Sequence, residues 1–381
     1  MNYSGGPKSF VSGFSLDGHV SATLPASWYY DPAIYAEEKE NIFFRTWQFV
    51  GPITDLAEPG SFLRARIFDQ ELLITRDKQS QLHAFYNICT HRGALLASEE
   101  KGCATRFTCC YHGWTFDPDG TLKAAANSEN VTAFDKADYG LIEVRVEELA
   151  NMVFVNLDPD AVPLAEMAAG LAEDIRAAVP DYDKLKVWRR DPATVQANWK
   201  IVVENFLECY HCTYAHPQLM GRRDSLCSTS FETLESEFWS RHIMRSGAER
   251  AVNVAYNFSP DDKIQDGWIW MLWPNTLLMA WPADSNFFIF HVIPDGPERT
   301  RETFDLLCLG DEPGPTEKAM FDYHSEVVNG EDIFVVEGVQ KAIHARGFKE
   351  GRYMVDNTDS WRSEHGVHHF ARLVWSSLQG G

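Results

Sequence analysis

The pattern of apolar and polar residues divides the chain into a short helical stretch, a β-rich stretch and a mixed second half. Residues 31–47 carry apolar positions at helical spacing, behind Asp31, a common N-cap type, and Pro32, favoured at the first helical position. From about 48 to 157, short runs such as SFLRARIF and ELLITRD are separated by Gly, Pro and Asp. This punctuation predicts a small β-sandwich.

The second half mixes helical and strand patterns. The segment LDPDAVPLAE at 157–166 is typical of a linker. Helical periodicity covers 163–178, 198–216, 315–344 and 363–378, and long aromatic strand runs lie between 231 and 309.

These elements predict an α+β chain in three parts. An N-terminal arm and helix occupy 1–47, a β-sandwich occupies 48–157, and a larger domain occupies 158–381. The N-terminal part is expected to pack on the larger domain.

Composition narrows the setting of this fold. No run of about 18 apolar residues appears, so we expect no membrane span. The net charge of −21 argues against nucleic-acid binding, which needs a basic surface. The N-terminus lacks a basic stretch followed by an apolar core, so we expect a cytoplasmic protein. There, the clustering of the eight cysteines with histidines favours metal binding over disulfides.

Two short clips each combine a cysteine with a histidine. Cys89-x-His91 and Cys109-x-x-His112 place two potential ligands on each of two loops. Two thiolates and two imidazoles fit either one structural Zn²⁺ or a [2Fe–2S] cluster with both cysteines on one iron and both histidines on the other. Zinc fingers usually pair Cys with Cys and His with His, so the mixed clips favour the cluster.

A second potential metal site lies in NWKIVVENFLECYHCTYAHP at 198–217. His211 and His216 can converge on one metal if the helix continues or unwinds slightly. Two imidazoles and one carboxylate form the facial triad of non-haem Fe(II) oxygenases, which leaves positions open for O₂. The spacing alone is also compatible with two ordinary surface or core histidines.

Both motifs resemble those of one family. CTHRG and CCYHGW are similar to the cluster loops of Rieske proteins, and the 198–217 segment is similar to the iron motif of Rieske oxygenase α subunits. The resemblance runs from Trp28–Tyr29 to the final helix. Ala94 stands where high-potential Rieske proteins carry a disulfide cysteine, which indicates the oxygenase-associated type.

The resemblance implies a Rieske β-sandwich followed by a catalytic domain with a curved antiparallel sheet covered by helices (a helix-grip, START-like arrangement). It assigns the third iron ligand to Asp332 in NGEDIFVVEGVQKAI, with Glu331 and Glu337 as alternatives. The full implied set is a [2Fe–2S] cluster on Cys89, His91, Cys109 and His112, and Fe(II) on His211, His216 and Asp332.

The same resemblance implies how electrons arrive. Glu208, where the family usually has Asp, would bridge its own His211 to His112 of a neighbour in a head-to-tail ring, usually a trimer. Asn205 would lie near the iron and shape its O₂ side, or serve as a packing amide. No G-x-G-x-x-G fingerprint is present, so NADH would react on a separate reductase, with or without a ferredoxin between them.

Glu at 208 resembles the branch that hydroxylates or demethylates quaternary ammonium compounds such as choline, glycine betaine, carnitine and proline betaine. Trp268 and Trp270 share a strand face and could line a cage for N⁺, with Trp281 as a further candidate. An apolar pocket would equally suit an aromatic-ring hydroxylating oxygenase, so mono- and dioxygenation both stay open. A third hypothesis is an electron-transfer or zinc protein without catalysis.

Overall fold

The first part of the fold is a β-rich unit that holds both cysteine–histidine clips. The computed structural model describes residues 12–216, 231–245, 256, 258–358 and 360–379. The strands of this unit are β1 (Gln48–Pro52), β2 (Ser61–Ile67), β3 (Gln70–Arg76), β4 (Leu82–Tyr86), β5 (Lys101–Cys103), β6 (Phe107–Thr108), β7 (Thr115–Phe116), β8 (Leu122–Ala124), β9 (Glu143–Leu149) and β10 (Met152–Asn156).

Two sheets form the predicted sandwich. The larger sheet has the order β1-β10-β9-β4-β3-β2-β5, and the smaller one has the order β6-β7-β8. One clip follows β4, and the other joins β6 to β7. Both clips therefore lie in loops at strand ends, where a rigid sheet can present side chains outward.

The second part is built on a seven-stranded antiparallel sheet with the order β11-β17-β16-β15-β14-β13-β12. Its strands are β11 (Leu185–Val195), β12 (Phe231–Glu235), β13 (Trp239–Met244), β14 (Gly267–Leu272), β15 (Thr276–Ala280), β16 (Asn286–Pro294) and β17 (Thr300–Leu309). The helices of the chain are α1 (Pro32–Glu38), α2 (Leu164–Met167), α3 (Leu171–Ala178), α4 (Trp199–Phe206), α5 (Cys212–Ala215), α6 (Pro315–Asp322), α7 (Asn329–Ala342) and α8 (His365–Gln379).

Alternation along the strands gives this sheet two apolar faces. One face, which includes Met279 and Phe288, packs in the core that also holds residues of α4, α7 and α8. The opposite face, which includes Leu278 and Phe287, packs against α2, α3 and strands of the sandwich. The predicted α+β architecture is confirmed, and the face toward α4 and α7 is where the iron residues lie.

Several predicted helices are shorter than their patterns suggested. The predicted helix at 198–216 is wrong in its middle, because α4 ends at Phe206 and α5 begins only at Cys212. The helix predicted at 163–178 divides at Gly170, whose φ of +86° is left-handed and ends a regular helix. The helix predicted over 315–344 contains a π-helical turn at Tyr323–Val328 between α6 and α7.

The beginning and end of the described chain pack together around α4. The Ala26 amide donates to the Lys349 carbonyl at 2.8 Å, and Trp28 stacks on Trp375 with ring centroids 5.1 Å apart. On α4, the fully buried Lys200 ammonium pairs with the fully buried Glu38 carboxylate. No helix among the described residues is long and apolar enough to cross a membrane.

Candidate cluster-binding and iron-binding sites

The two clip loops share one backbone shape. In the first loop, the Cys89 amide donates to the Ala94 carbonyl at 2.7 Å, and the Gly93 amide donates to the Cys89 carbonyl at 2.9 Å. In the second loop, the Gly113 amide donates to the Cys109 carbonyl at 3.0 Å. Gly93 and Gly113 have φ values of +72° and +71°, a conformation that a side chain disfavours. The loops therefore present their ligands in matching orientations.

The cysteines and the histidines of the two clips differ in burial. Cys89 and Cys109 are 1% and 3% exposed, whereas His91 and His112 are exposed, with ring centroids 4.6 Å apart. Burial raises the pKa of the Cys89 thiol, and the neighbouring Cys109 thiol adds to the rise. Two adjacent buried sulfurs beside two exposed imidazoles fit a group with a thiolate side inside and an imidazole side at the surface.

The break between α4 and α5 positions the two iron-site histidines. Asn198 caps α4, its side-chain oxygen accepting from the Lys200 amide at 3.0 Å. His211 lies just before α5, and His216 lies just after it. Their Nε2 atoms are 3.2 Å apart. Oδ1 of Asp332 on α7 lies 3.0 Å from Nε2 of His216 and 3.4 Å from Nε2 of His211, so three ligand atoms converge.

The opposite nitrogen of each imidazole is held by a carboxylate. Nδ1 of His211 donates to Oε1 of Glu208, whose other oxygen accepts from the His211 amide at 2.9 Å. Nδ1 of His216 donates to Oε2 of Glu331 at 2.9 Å. Such hydrogen bonds fix the tautomer that leaves Nε2 unprotonated and turned toward a metal.

Asp332 carries the clearest sign that the set fits a cation. Its Oδ1 atom is buried and has no hydrogen-bond partner of acceptable geometry. Burial lowers the pKa of His211, but the nearby carboxylates of Asp332 and of Glu208, which accepts from Nδ1, outweigh that effect and raise the pKa to about 10. The carboxylates around the histidines therefore favour added positive charge, which a divalent ion supplies.

The alternative carboxylates on α7 lie elsewhere. Glu331 contacts the Nδ1 side of His216, away from the convergence point. Oε1 of Glu337 accepts from the backbone amide of Gln196 at 3.0 Å, at an exposed position. This geometry favours Asp332 as the third ligand.

Asn205 lies beside the candidate iron ligands. Its amide nitrogen is 3.4 Å from Nε2 of His211. The side chain also lines the cavity that opens onto the iron residues.

That cavity is walled mainly by aromatic and aliphatic side chains. Phe290 and Phe304 stack with centroids 4.2 Å apart and an angle of 6°, and Phe206 lies 5.7 Å from Phe290. Trp281, a candidate from the sequence, also lines it and stacks on His324 at 4.3 Å.

The expectation for Trp268 and Trp270 is wrong in one respect. The two rings do share a face and stack, with centroids 5.9 Å apart. That face is the far side of the sheet, where Nε1 of Trp270 donates to Asp174 at 2.8 Å. Alternation predicts which residues lie together but cannot tell which face lines a cavity.

Two polar residues of the cavity escaped sequence reasoning. Glu302 on β17 is buried, and Nδ2 of Asn329 donates to its Oε2 at 3.2 Å. His324 is also buried, and its Nε2 atom has no hydrogen-bond partner. Burial raises the pKa of Glu302 to about 7 and lowers that of His324 to about 3. No local pattern marks Glu302, because its strand also carries Arg301, Thr303 and Asp305.

Comparison with known proteins agrees with this geometry. Residues 46–135 match the Rieske [2Fe-2S] domain, and residues 182–380 match the ring hydroxylating alpha subunit (catalytic domain). The chain is 34% identical over 362 residues to the carnitine monooxygenase oxygenase subunit of Escherichia coli (strain K12), covering 95% of each chain. It is 29% identical over 376 residues to the chloroplastic choline monooxygenase of Beta vulgaris, covering 94% of this chain and 77% of that protein.

A solved structure extends the similarity to the whole fold. The quaternary ammonium Rieske monooxygenase CntA in complex with L-carnitine superposes with a TM-score of 0.85 at 30% identity, covering 98% of this chain and 100% of that chain. The chain therefore belongs to the Rieske non-haem iron oxygenases, as an oxygenase α subunit with a [2Fe–2S] domain and a catalytic iron domain.

Proposed function

We propose that this chain is the oxygenase of a multi-component system that hydroxylates or N-demethylates a quaternary ammonium substrate. The observation that carries the proposal is the cavity at His211, His216 and Asp332. Its described lining combines aromatic and aliphatic side chains with three carboxylates and contributes no Lys or Arg. A trimethylammonium group cannot donate hydrogen bonds, so aromatic faces and negative charge are what can hold it. The similarity to carnitine and choline monooxygenases supports the same substrate class.

The proposal assigns the metal-binding roles as follows. Cys89, Cys109, His91 and His112 would hold the cluster, and His211, His216 and Asp332 would hold the iron. When bound, these groups supply single-electron storage and activation of O₂.

The chain's own residues prepare the iron site for that chemistry. Glu208 and Glu331 orient the two imidazoles through their Nδ1 atoms. Phe290 and Phe304 exclude water and present ring faces to the substrate. Asn205 lies at the edge of the ligand set, where its amide can restrict access to the metal.

We further propose a head-to-tail ring, as a trimer, in which Glu208 links its own His211 to His112 of the adjacent subunit. His112 is exposed, and its neighbour Tyr111 is 57% exposed. On the side of the iron residues, Tyr214 and Phe334 are 87% and 81% exposed. Large exposed aromatic side chains near His112 and near the candidate iron ligands suit burial in a subunit interface.

The remaining components follow from the chemistry. A separate NADH-dependent reductase would supply electrons, either directly or through a ferredoxin. We place the system in the cytoplasm, where NADH is available and thiols stay reduced; none of the seven described cysteines forms a disulfide.

A product screen tests the proposed function. Holoenzyme with a surrogate reductase and NADH should consume O₂ with at least one of choline, carnitine, glycine betaine or stachydrine, giving a hydroxylated product or formaldehyde by mass spectrometry. Turnover of aromatic acids alone would establish the ring-hydroxylating alternative instead. An electron paramagnetic resonance spectrum of the reduced protein should show the low average g of a Rieske cluster, whereas a zinc protein would be silent.

A further inference from the structure

Glu302 is a buried carboxylate without a counter-charge. It is 2% exposed, and Asn329 donates to Oε2 at 3.2 Å. No Lys, Arg or His among the described residues forms an ion pair with it. Burying an unpaired carboxylate is costly, so a fold retains one where a bound cation can supply the missing positive charge.

Glu302 faces the substrate cavity. Residues 302 and 304 alternate onto the same face of β17, and both Glu302 and Phe304 line the cavity. Phe304 stacks on Phe290 of the neighbouring strand, where Glu302 pairs in register with Val292. The carboxylate therefore lies beside the stacked aromatic wall.

The other carboxylates of the described lining are already engaged. Glu208 accepts from His211, and Asp332 lies within 3.0 Å of Nε2 of His216. Glu302 is thus the lining carboxylate left for a ligand. A quaternary ammonium group suits this position, because the attraction between charges does not require an N–H donor.

We propose that Glu302 is a specificity-determining residue whose carboxylate provides the counter-charge for the ammonium group of the substrate. This inference rests on the proposed function and adds an attraction between opposite charges to substrate recognition. Aromatic walls attract the cation through their ring faces and also accept an uncharged tert-butyl group, whereas a carboxylate adds a full opposite charge that favours only the cationic isostere.

Binding of matched ligand pairs tests the assignment. Choline and 3,3-dimethylbutan-1-ol have the same shape, as do glycine betaine and 3,3-dimethylbutanoate, and each pair differs by one positive charge. Dissociation constants are measured by anaerobic calorimetry on the holoenzyme, with iron content determined for each sample. The readout is the cation preference, defined as the Kd of the carbon isostere divided by the Kd of the ammonium compound.

Glu302→Gln keeps the shape and an oxygen acceptor for Asn329 but removes the charge. We expect its cation preference to fall about 10- to 100-fold, through weaker binding of the ammonium compound with the isostere unchanged. Glu302→Asp keeps the charge and should lose less. The matched control is Glu317→Gln, a buried glutamate outside the cavity whose Oε1 accepts from the Asp284 amide at 3.2 Å; it should retain the wild-type preference.

The possible results separate the role of Glu302 from the proposed function of the chain. A Glu302→Gln holoenzyme that keeps the wild-type preference, or that loses both members of a pair equally, overturns the role of Glu302 while leaving the proposed function intact. If Glu302→Gln does not retain iron, iron-loaded Glu302→Ala and Glu302→Asp are compared: a cation preference that falls in the alanine variant and recovers in the aspartate variant supports a role for the charge, and an unchanged preference in the alanine variant overturns it. Wild-type enzyme that binds no ammonium compound more tightly than its isostere overturns both proposals.

Discussion

Glu331 offers a sharp test of how the iron site is supported. Its Oε2 accepts from Nδ1 of His216 at 2.9 Å, and its side chain is 28% exposed. A hydrogen bond to a charged group contributes roughly 1.5–3 kcal/mol, and solvent screening at this exposure favours the lower end. Loss of about 1.5 kcal/mol corresponds to roughly tenfold weaker Fe(II) binding. We therefore expect Glu331→Ala to weaken iron binding about tenfold without abolishing it.

The assay is an anaerobic Fe(II) titration against a competing chelator, with cluster content held constant. Glu337→Ala is the matched control, because Glu337 lies on the same helix but accepts from the Gln196 amide at an exposed position. It should bind iron like the wild type. Iron affinity within twofold of wild type in Glu331→Ala would refute the supporting role, and complete loss of iron would make Glu331 a direct ligand.

Three further changes probe the same architecture. Asp332→Ala should lose the mononuclear iron while acid-labile sulfide and cluster absorbance remain; a full iron complement would reassign the third ligand. Glu208→Gln should keep both metals and give product in a single turnover of prereduced enzyme, yet fail in multiple turnover with reductase and NADH. Normal steady-state rates in Glu208→Gln would contradict the proposed bridging role of Glu208. Lys200→Met should lower the free energy of unfolding by about 3–5 kcal/mol in urea, since it strands the buried Glu38. Glu38→Gln combined with Lys200→Met should recover most of that loss, and a double variant no more stable than the single one would contradict the ion-pair argument.

Candidate metal residues can be picked out from the sequence where chemistry fixes short spacings. Each clip holds its cysteine and histidine within one loop, and His211 and His216 lie within one short segment. The continuous helix drawn through 198–216 was wrong, because the chain leaves helical geometry after Phe206 to turn both imidazoles inward.

Asp332 required tertiary information, since only the packing of α7 beside α4 brings it to the histidines. Neighbouring helical residues differ in direction by about 100°. Glu331 can therefore contact Nδ1 of His216 while Asp332 lies near Nε2 of the same ring. The residue pattern alone offered Asp332, Glu331 and Glu337, and the preference for Asp332 came from the family resemblance.

The substrate cavity was the least predictable part. Period-two alternation correctly grouped Trp268 with Trp270, but the choice of face depends on which helices cover which side of the sheet. Glu302 and His324 gave no local signal, because their meaning comes from groups distant in the chain.

The packing of both chain ends around α4 has a consequence for biosynthesis. Strands β1–β10 come from one continuous stretch, Gln48–Asn156, so that unit can complete its contacts early in translation. The layer over the iron-side face needs residues as late as Phe370, together with Glu38 from near the start. Contacts of such long sequence separation form late, so the β-rich unit can fold on the ribosome before the second half has all the residues of its core.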